Sequence, residues 1–247
     1  MALEKSDQLH YPRCRITFCA NAGVSVEIGG DRIFVDPFPG HRVPGFSGMN
    51  AGLWKNVQGN EAFSDPTLCI CTHCHPDHFS KDHIREYLWR WPEMQLALPT
   101  EMFHGQILIS GDEMSFRVGK TDVTCFRLQH TGEQYKDTDH YGLILQQGSF
   151  RILFTGDSEA PCDALLSYVQ GVHLNVACLN FPWVTLQRSR AFLRDNLEID
   201  HLLVFHLPFT QDDCYGYRKA AEFAIGKLRD YADVRLLKEP LQQEDIL

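Results

Sequence analysis

Short apolar runs recur along the chain, broken at Gly, Asn, Asp and Pro, and this pattern predicts strands ahead of helices. Three early runs, "CRITFCA", "VSVEIGG" and "RIFVDPF", are rich in β-branched and aromatic residues and are separated by Asn-Ala-Gly and Gly-Gly-Asp. They read as consecutive antiparallel strands. "TLCICT" is a buried strand and "MQLALP" another, while "MSFRVGKTDVTCFRLQH", "HYGLILQQG" and "FRILFTGD" form a meander with turns at Gly119-Lys120 and Gly148-Ser149. From Pro37 to Pro66, glycines and large aromatics (Phe38, Phe46, Trp54, Phe63) follow little period, which predicts a long loop of the kind that often serves as a lid.

Helical spacing enters in fewer places. Ser80 stands as the N-cap of a helix that puts Ile84, Tyr87, Leu88 and Trp91 on one face, leaves His83 on the exposed side and ends at Pro92. Beyond Asp157 the order is a helix from Pro161 to Gln170, the strand "HLNVACLN", a helix from Leu186 to Asn196 and the strand "HLLVFH". A last helix, capped near Asp212 or Asp213, carries Tyr217, Ala220, Ala221, Ala224, Leu228 and Tyr231 at helical spacing. The expected fold class is α/β, a four-layer α/β/β/α sandwich of two mostly antiparallel or mixed sheets with helices on the outer faces.

Composition fixes the setting. At 247 residues, 44% of them hydrophobic and 22% charged, the chain reads as one globular domain over 1–247, with 1–12 as a loosely ordered lead. A net charge of −9 argues against a nucleic-acid partner or an anionic membrane surface. "MALEKSDQLHYP" has no apolar core and no long apolar stretch follows, so the expected location is cytoplasmic. Nine cysteines, odd in number and irregularly spaced, read as reduced thiols. A homo-oligomer is the usual expectation for a cytosolic enzyme.

The chemistry concentrates in "CICTHCHPDHFS", residues 69 to 80. His73 and His75 are two apart on an extended chain, point the same way and can share a metal, while Asp77 and His78 follow where the chain turns toward the Ser80 helix. Cys71 and Cys74 form a C-x-x-C pair with no second pair to complete a structural zinc site, and strand alternation turns Cys74 away from the two histidines. Further candidate ligands close apolar runs elsewhere: His130 after "VTCFRLQ", Asp157 after "RILFTG" and His206 after "HLLVF". Two other histidines, His140 and His41, could reach a substrate, although a plain turn or surface role is the favoured reading for each. Phe181 and Trp183 in "NFPWV" could line a pocket mouth or fill the core.

This ordered set resembles the metallo-β-lactamase-fold hydrolases, over roughly residues 14 to 207. The resemblance rests on Asp36 in "FVDPF", the H-x-H-x-D-H run at His73, His75, Asp77 and His78, His130 in "LQHTG", Asp157 in "FTGDSE" and His206 in "FHLPF". It implies that His73, His75 and His130 bind one divalent metal, that Asp77, His78 and His206 bind a second, and that Asp157 bridges them. Asp36 would stand behind the ligands and fix the orientation of one. Two metals roughly 3.5–4 Å apart would hold a hydroxide between them, which Asp77 would aim. Nitrogen and oxygen donors point first to zinc, with manganese or iron compatible.

The implied activity is hydrolysis of a small anionic ester, lactone or phosphoester, and the single-domain form looks most like the L-ascorbate-6-phosphate lactonase branch. Three other readings stay open: an iron-dependent oxidoreductase resembling the persulfide dioxygenases, a nuclease or phosphodiesterase, and a non-catalytic binding member.

Overall fold

The computed structural model describes residues 11–40 and 43–246. Most of the expected 1–12 lead and His41 lie outside the described residues.

Two seven-stranded sheets stack face to face, one built from each end of the chain inward. The first takes β1 (Cys14–Phe18), β2 (Val24–Ile28), β3 (Asp31–Val35), β4 (Leu68–Ile70), β5 (Gln95–Leu98) and β6 (Ile107–Leu108) in sequence order. The second takes β7 (Glu113–Val118), β8 (Thr121–Arg127), β9 (Tyr141–Gln147), β10 (Phe150–Phe154), β11 (His173–Asn180), β12 (Glu198–Phe205) and β13 (Asp233–Leu236). The chain then crosses back, and β14 (Gln243–Asp245) pairs antiparallel with β1. Both sheets are mixed: β3 to β6 are parallel, as are β10 to β13, and the rest are antiparallel.

Side-chain alternation explains why the layers form. Along β10 to β12, Ile152, Phe154, Val176, Cys178, Leu203 and Phe205 face the space between the sheets. Their neighbours Leu153, Ala177, Leu179, Leu202 and Val204 face outward, into a second core with the helices. A strand buried on both faces reads as a continuous apolar run, which is why these three looked alike in sequence. Helices α3 (Leu166–Val169), α4 (Pro182–Thr185), α5 (Gln187–Asn196) and α6 (Tyr217–Ile225) follow the strands of the second sheet, and α1 (Ala51–Gly59) and α2 (Lys81–Arg90) those of the first. No helix among the described residues is long and apolar enough to cross a membrane.

Several local expectations change. The segment from 37 to 66 is not one loop, because Asn50 caps α1 by accepting from the Leu53 amide and a 3-10 turn follows at Glu61–Phe63. Its single apolar stripe, Leu53 and Val57, is too short to stand out among glycines. The aromatics there split in role: Phe38 and Phe63 are core, whereas Trp54 packs on Phe38 and Tyr87 and stacks on His83 at 4.0 Å. His83 is therefore half-buried rather than exposed. The stretch expected as one helix from Pro161 to Gln170 is a 3-10 turn at Asp163–Leu165 running into α3. The last helix ends at Ile225, and Leu228 and Tyr231 pack from the turns beyond it. Asp213, not Asp212, receives the first two amides of α6.

At the end of the sandwich remote from these loops a buried carboxylate ties the sheets together. Asp31 Oδ2, at the start of β3, accepts from the Lys120 amide at 2.7 Å, Thr121 Oγ1 at 2.8 Å and Gln147 Nε2 at 3.1 Å, all on the other sheet. Removing it strands buried donors, so Asp31→Ala should cost about 1–3 kcal/mol. The measurement is thermal unfolding, with metal content expected to stay that of the unsubstituted protein.

Candidate metal centre

Strand direction decides where the polar residues meet. β1, β3 and β4 run one way in the first sheet, and β8, β10 and β12 share a direction in the second. Asn21, Asp36 and His73 lie just past the C-terminal ends of the former, and His130, Asp157 and His206 past those of the latter. Asn21, Asp36 and His206 take left-handed backbone conformations, with φ of 52°, 46° and 60°. Asn, Asp and His are the non-glycine residues that tolerate this region best, and each turns the chain sharply where a strand ends. Gly156 (φ 53°) does the same before Asp157, and a Cβ there would sit 2.6 Å from His140 Nε2.

Two donor groups result. His73, His75 and His130 form one; Asp77, His78, Asp157 and His206 form the other, and within each the donor atoms lie within 4.8 Å of one another. Asp157 Oδ2 stands between them, 3.3 Å from both His78 Nε2 and His206 Nε2 and 3.9 Å from His130 Nε2. His206 Nε2 is also 3.5 Å from Asp77 Oδ2 and 3.0 Å from His78 Nε2.

The groups behind the rings set their tautomers. Asp36 accepts from the Thr72 amide at 2.8 Å and Thr72 Oγ1 at 2.7 Å, and its Oδ2 lies 3.1 Å from His78 Nδ1. Thr72 spends its one hydroxyl proton on Asp36, so Oγ1 accepts from His73 Nδ1 at 3.0 Å. His130 Nδ1 donates to the Thr131 carbonyl at 2.7 Å. In His73 and His130 Nδ1 carries the proton and Nε2 turns a lone pair into the shared space, the arrangement typical of metal-binding histidines, and Asp36 gives His78 Nδ1 a comparable partner.

That space fits cations. His73 Nε2, His130 Nε2 and Asp157 Oδ1 are buried and have no hydrogen-bond partner. Orphaned acceptors of this kind are costly unless something positive completes them. Cysteine is absent from both groups: Cys69 lies in β4, Cys71 is buried just past its end, and Cys74 turns to Thr100, its thiol pushed up to about 12 by burial.

Charge differs between the halves. Burial holds His73 well below the usual histidine range, helped by the charges of His78 and His140, and burial also lowers His75 and His130. These three are neutral bases at pH 7. In the other half burial also disfavours charge, but the carboxylates win: Asp157 and its hydrogen bond raise His206 to about 9, and Asp157 and Asp36 raise His78. Burial pushes Asp77 up, yet the His206 hydrogen bond and the two histidine charges hold it down at about 2, and the same pair keeps Asp157 well below its usual value.

His140 is not a substrate contact. It is fully buried, its Nδ1 donates to the Leu128 carbonyl at 2.9 Å and its Nε2 accepts the Asp157 amide at 2.9 Å, while burial lowers it to about 3. It fixes the Asp157 turn. Trp183 is core, and Phe181 stacks on Tyr217. Sequence reasoning passed over Thr72 and Asn21, although each directly flanks a strand end.

A model of the beta-lactamase superfamily domain matches residues 31–183, more than half of the chain. The chain belongs to the beta-lactamase superfamily. Among solved structures its fold resembles Igni18, a metallo hydrolase from Ignicoccus hospitalis, at 14% identity and a TM-score of 0.65 over 94% of this chain and 98% of that one. It also resembles an isothiocyanate hydrolase from Delia radicum gut bacteria, at 15% identity and 0.66 over 93% and 98%. CmlA, a diiron β-hydroxylase from Streptomyces venezuelae, matches at 13% identity and 0.65, over 94% of this chain and 53% of its own length. No curated protein matches the chain by sequence. At such identities these structures establish the fold, and none of them singles out the ascorbate-6-phosphate lactonase branch.

Because His78 and His206 are raised, metal entering that half must displace protons. At pH 7 zinc binding should release at least one proton from this pair, and the release should fade, with tighter binding, as pH climbs past about 9. Calorimetric titration in buffers of different ionisation enthalpy measures it; release independent of pH over that range would contradict the charge assignment.

Proposed function

We propose that the chain hydrolyses a small anionic ester, lactone or phosphoester at a dinuclear metal centre. The observation that carries this is the pair of donor groups meeting at Asp157, with three buried donor atoms left unpartnered. His73, His75 and His130 would hold one ion, Asp77, His78 and His206 the other, and Asp157 both. Zinc suits the nitrogen and oxygen donors, and manganese or iron would also be accepted. Two ions held there supply Lewis acidity and lower the pKa of water to near neutrality.

The chain's own residues supply the rest. Asp77, held at about 2, is too weak a base to store a proton, so it accepts a hydrogen bond and orients. Asp36 and Thr72 keep the His78 and His73 rings turned so that Nε2 points inward. Substrate room lies next to Asp157, in a cavity of about 260 Å³ lined by Thr131, Ser158, Glu159, Pro161, Pro182 and Arg188 among others. Ser158 bridges to His130 through the backbone, so the cavity adjoins both halves. The Arg188 guanidinium, on the exposed first turn of α5, makes no hydrogen bond or ion pair among the described residues, which leaves it free for a substrate anion; Glu159 on the same wall disfavours a second negative charge nearby. Tyr135, 4.8 Å from the His75 ring and 4.9 Å from that of His130, flanks the opposite side.

Elemental analysis of protein purified without added metal tests the core of this reading. About two equivalents of zinc or manganese, lost in His75→Ala and Asp157→Ala together with turnover, are expected of a two-metal site. A single iron would favour an oxidoreductase instead, and no metal after reconstitution would defeat both.

The anion is tested with mono-4-nitrophenyl succinate against neutral 4-nitrophenyl butyrate. Arg188→Glu should lower the succinate-to-butyrate ratio of kcat/KM about tenfold or more, mainly through KM for the succinate ester. An unchanged ratio would remove Arg188 from recognition.

A further inference from the structure

The two halves of the centre are supported by different parts of the chain. His73 and His130 rest on Thr72 and Thr131, their own neighbours in sequence, and His75 lies 3.5 Å from Thr138 Oγ1. Asp77 and His206 instead depend on one buried side chain from β1's end and one from the segment ahead of α1. Asn21 is fully buried, and its Nδ2 donates to the Asp77 carbonyl at 3.2 Å. Its own backbone carbonyl accepts the His206 amide at 2.7 Å, within an isolated bridge between Asn21 and Leu207. The remaining acceptor, Oδ1, takes the Ser47 amide at 3.0 Å.

Ser47 extends the tie. Its Oγ donates to Asp212 Oδ2 at 2.7 Å and accepts the Phe209 amide at 2.8 Å, gripping the chain just past His206. The adjacent Phe46 packs edge-on against the His206 ring, with centroids 4.4 Å apart. A second tie secures the other flank, where the Gly40 amide donates to the Pro76 carbonyl at 2.7 Å and the Gly40 carbonyl accepts from Met49 at 3.2 Å. None of these bonds reaches His73, His75 or His130.

Resting on the dinuclear reading, we propose that Asn21 and Ser47 are positioning residues that set the metal affinity of the Asp77, His78 and His206 half alone. Asn21 is the only described side chain that bonds the Asp77 turn while its backbone bonds His206, so it fixes the spacing of the two donors. Ser47 holds Asn21 and the chain after His206 in one register. Loss of either leaves the donors in place but free to spread, and groups that hold metal ligands in position tune affinity by about 10–100-fold. The His73, His75 and His130 half keeps its own supports and its affinity.

The test is stepwise zinc titration of the metal-free full chain against a competing chelator, giving two dissociation constants. Asn21→Gly keeps the left-handed backbone, and with it the bond to His206, while removing both side-chain bonds. Ser47→Ala removes the hydroxyl, and the double variant reports whether the two act as a unit. His206→Ala identifies which step belongs to its half. The expected result is a weakening of that step by about 10–100-fold in each single variant, the other step staying within about twofold, and less than the product of the two in the double variant.

Equal weakening of both steps, or no change in either, overturns the proposal while leaving the dinuclear reading intact. A wild-type chain that takes one ion defeats the dinuclear reading, and the proposal with it. Should Asn21→Gly fail to fold by circular dichroism, Ser47→Ala decides alone.

Discussion

Asp157 is the point on which both halves of the centre converge. A carboxylate set against three buried histidine rings would be expensive without compensation, and here its compensation is structural on one side and chemical on the other. Gly156 lets the turn close against Thr72 and His140, and His140 holds the Asp157 amide so that the side chain has one direction to take. Its Oδ1 and the Nε2 atoms of His73 and His130 are left buried without a partner. The fold has made a space that is stable when positive charge occupies it, and this shared requirement explains why so many polar groups tolerate burial together.

The sandwich supplies that space by stacking two sheets whose relevant strands all end at one edge. Turning six strand ends at the same rim calls for abrupt backbone geometry, met in part by left-handed residues at Asn21, Asp36 and His206. These residues serve twice, as the turn and as a polar contact in the site. The sheets are joined at both edges, by Asp31 at the far one and by the Asn21 carbonyl to the His206 amide at the rim that bears the functional loops. Support within the rim is uneven: neutral, locally braced histidines in one half, an ionic network braced from a distance in the other.

Much of this was legible from the chain. The strand runs, the four layers and the candidate ligands could all be read because strand alternation and residue type are local properties. What escaped reading is equally specific. Helix α1 was lost among glycines, since two buried residues make too faint a stripe, and β13 and β14 are short edge strands that mean little until their partners are known. His140 looked like a free histidine near the site and is a buried brace. A side chain's availability depends on what lies on every side of it, which one-dimensional spacing does not contain.

The sequence by itself determined which groups could bind a metal, because His, Asp and their places at the ends of apolar runs are written in order along it. It also determined the sharp turns, through Asn, Asp, His and Gly at the strand ends. Only the tertiary structure decided that residues more than a hundred positions apart, His78 and His206, place their nitrogens 3.0 Å from each other, and that Asn21 and Ser47 stand behind one half of the centre and not the other. Those facts follow from the packing of two sheets against each other. Packing is a property of the whole core, so no local stretch encodes it.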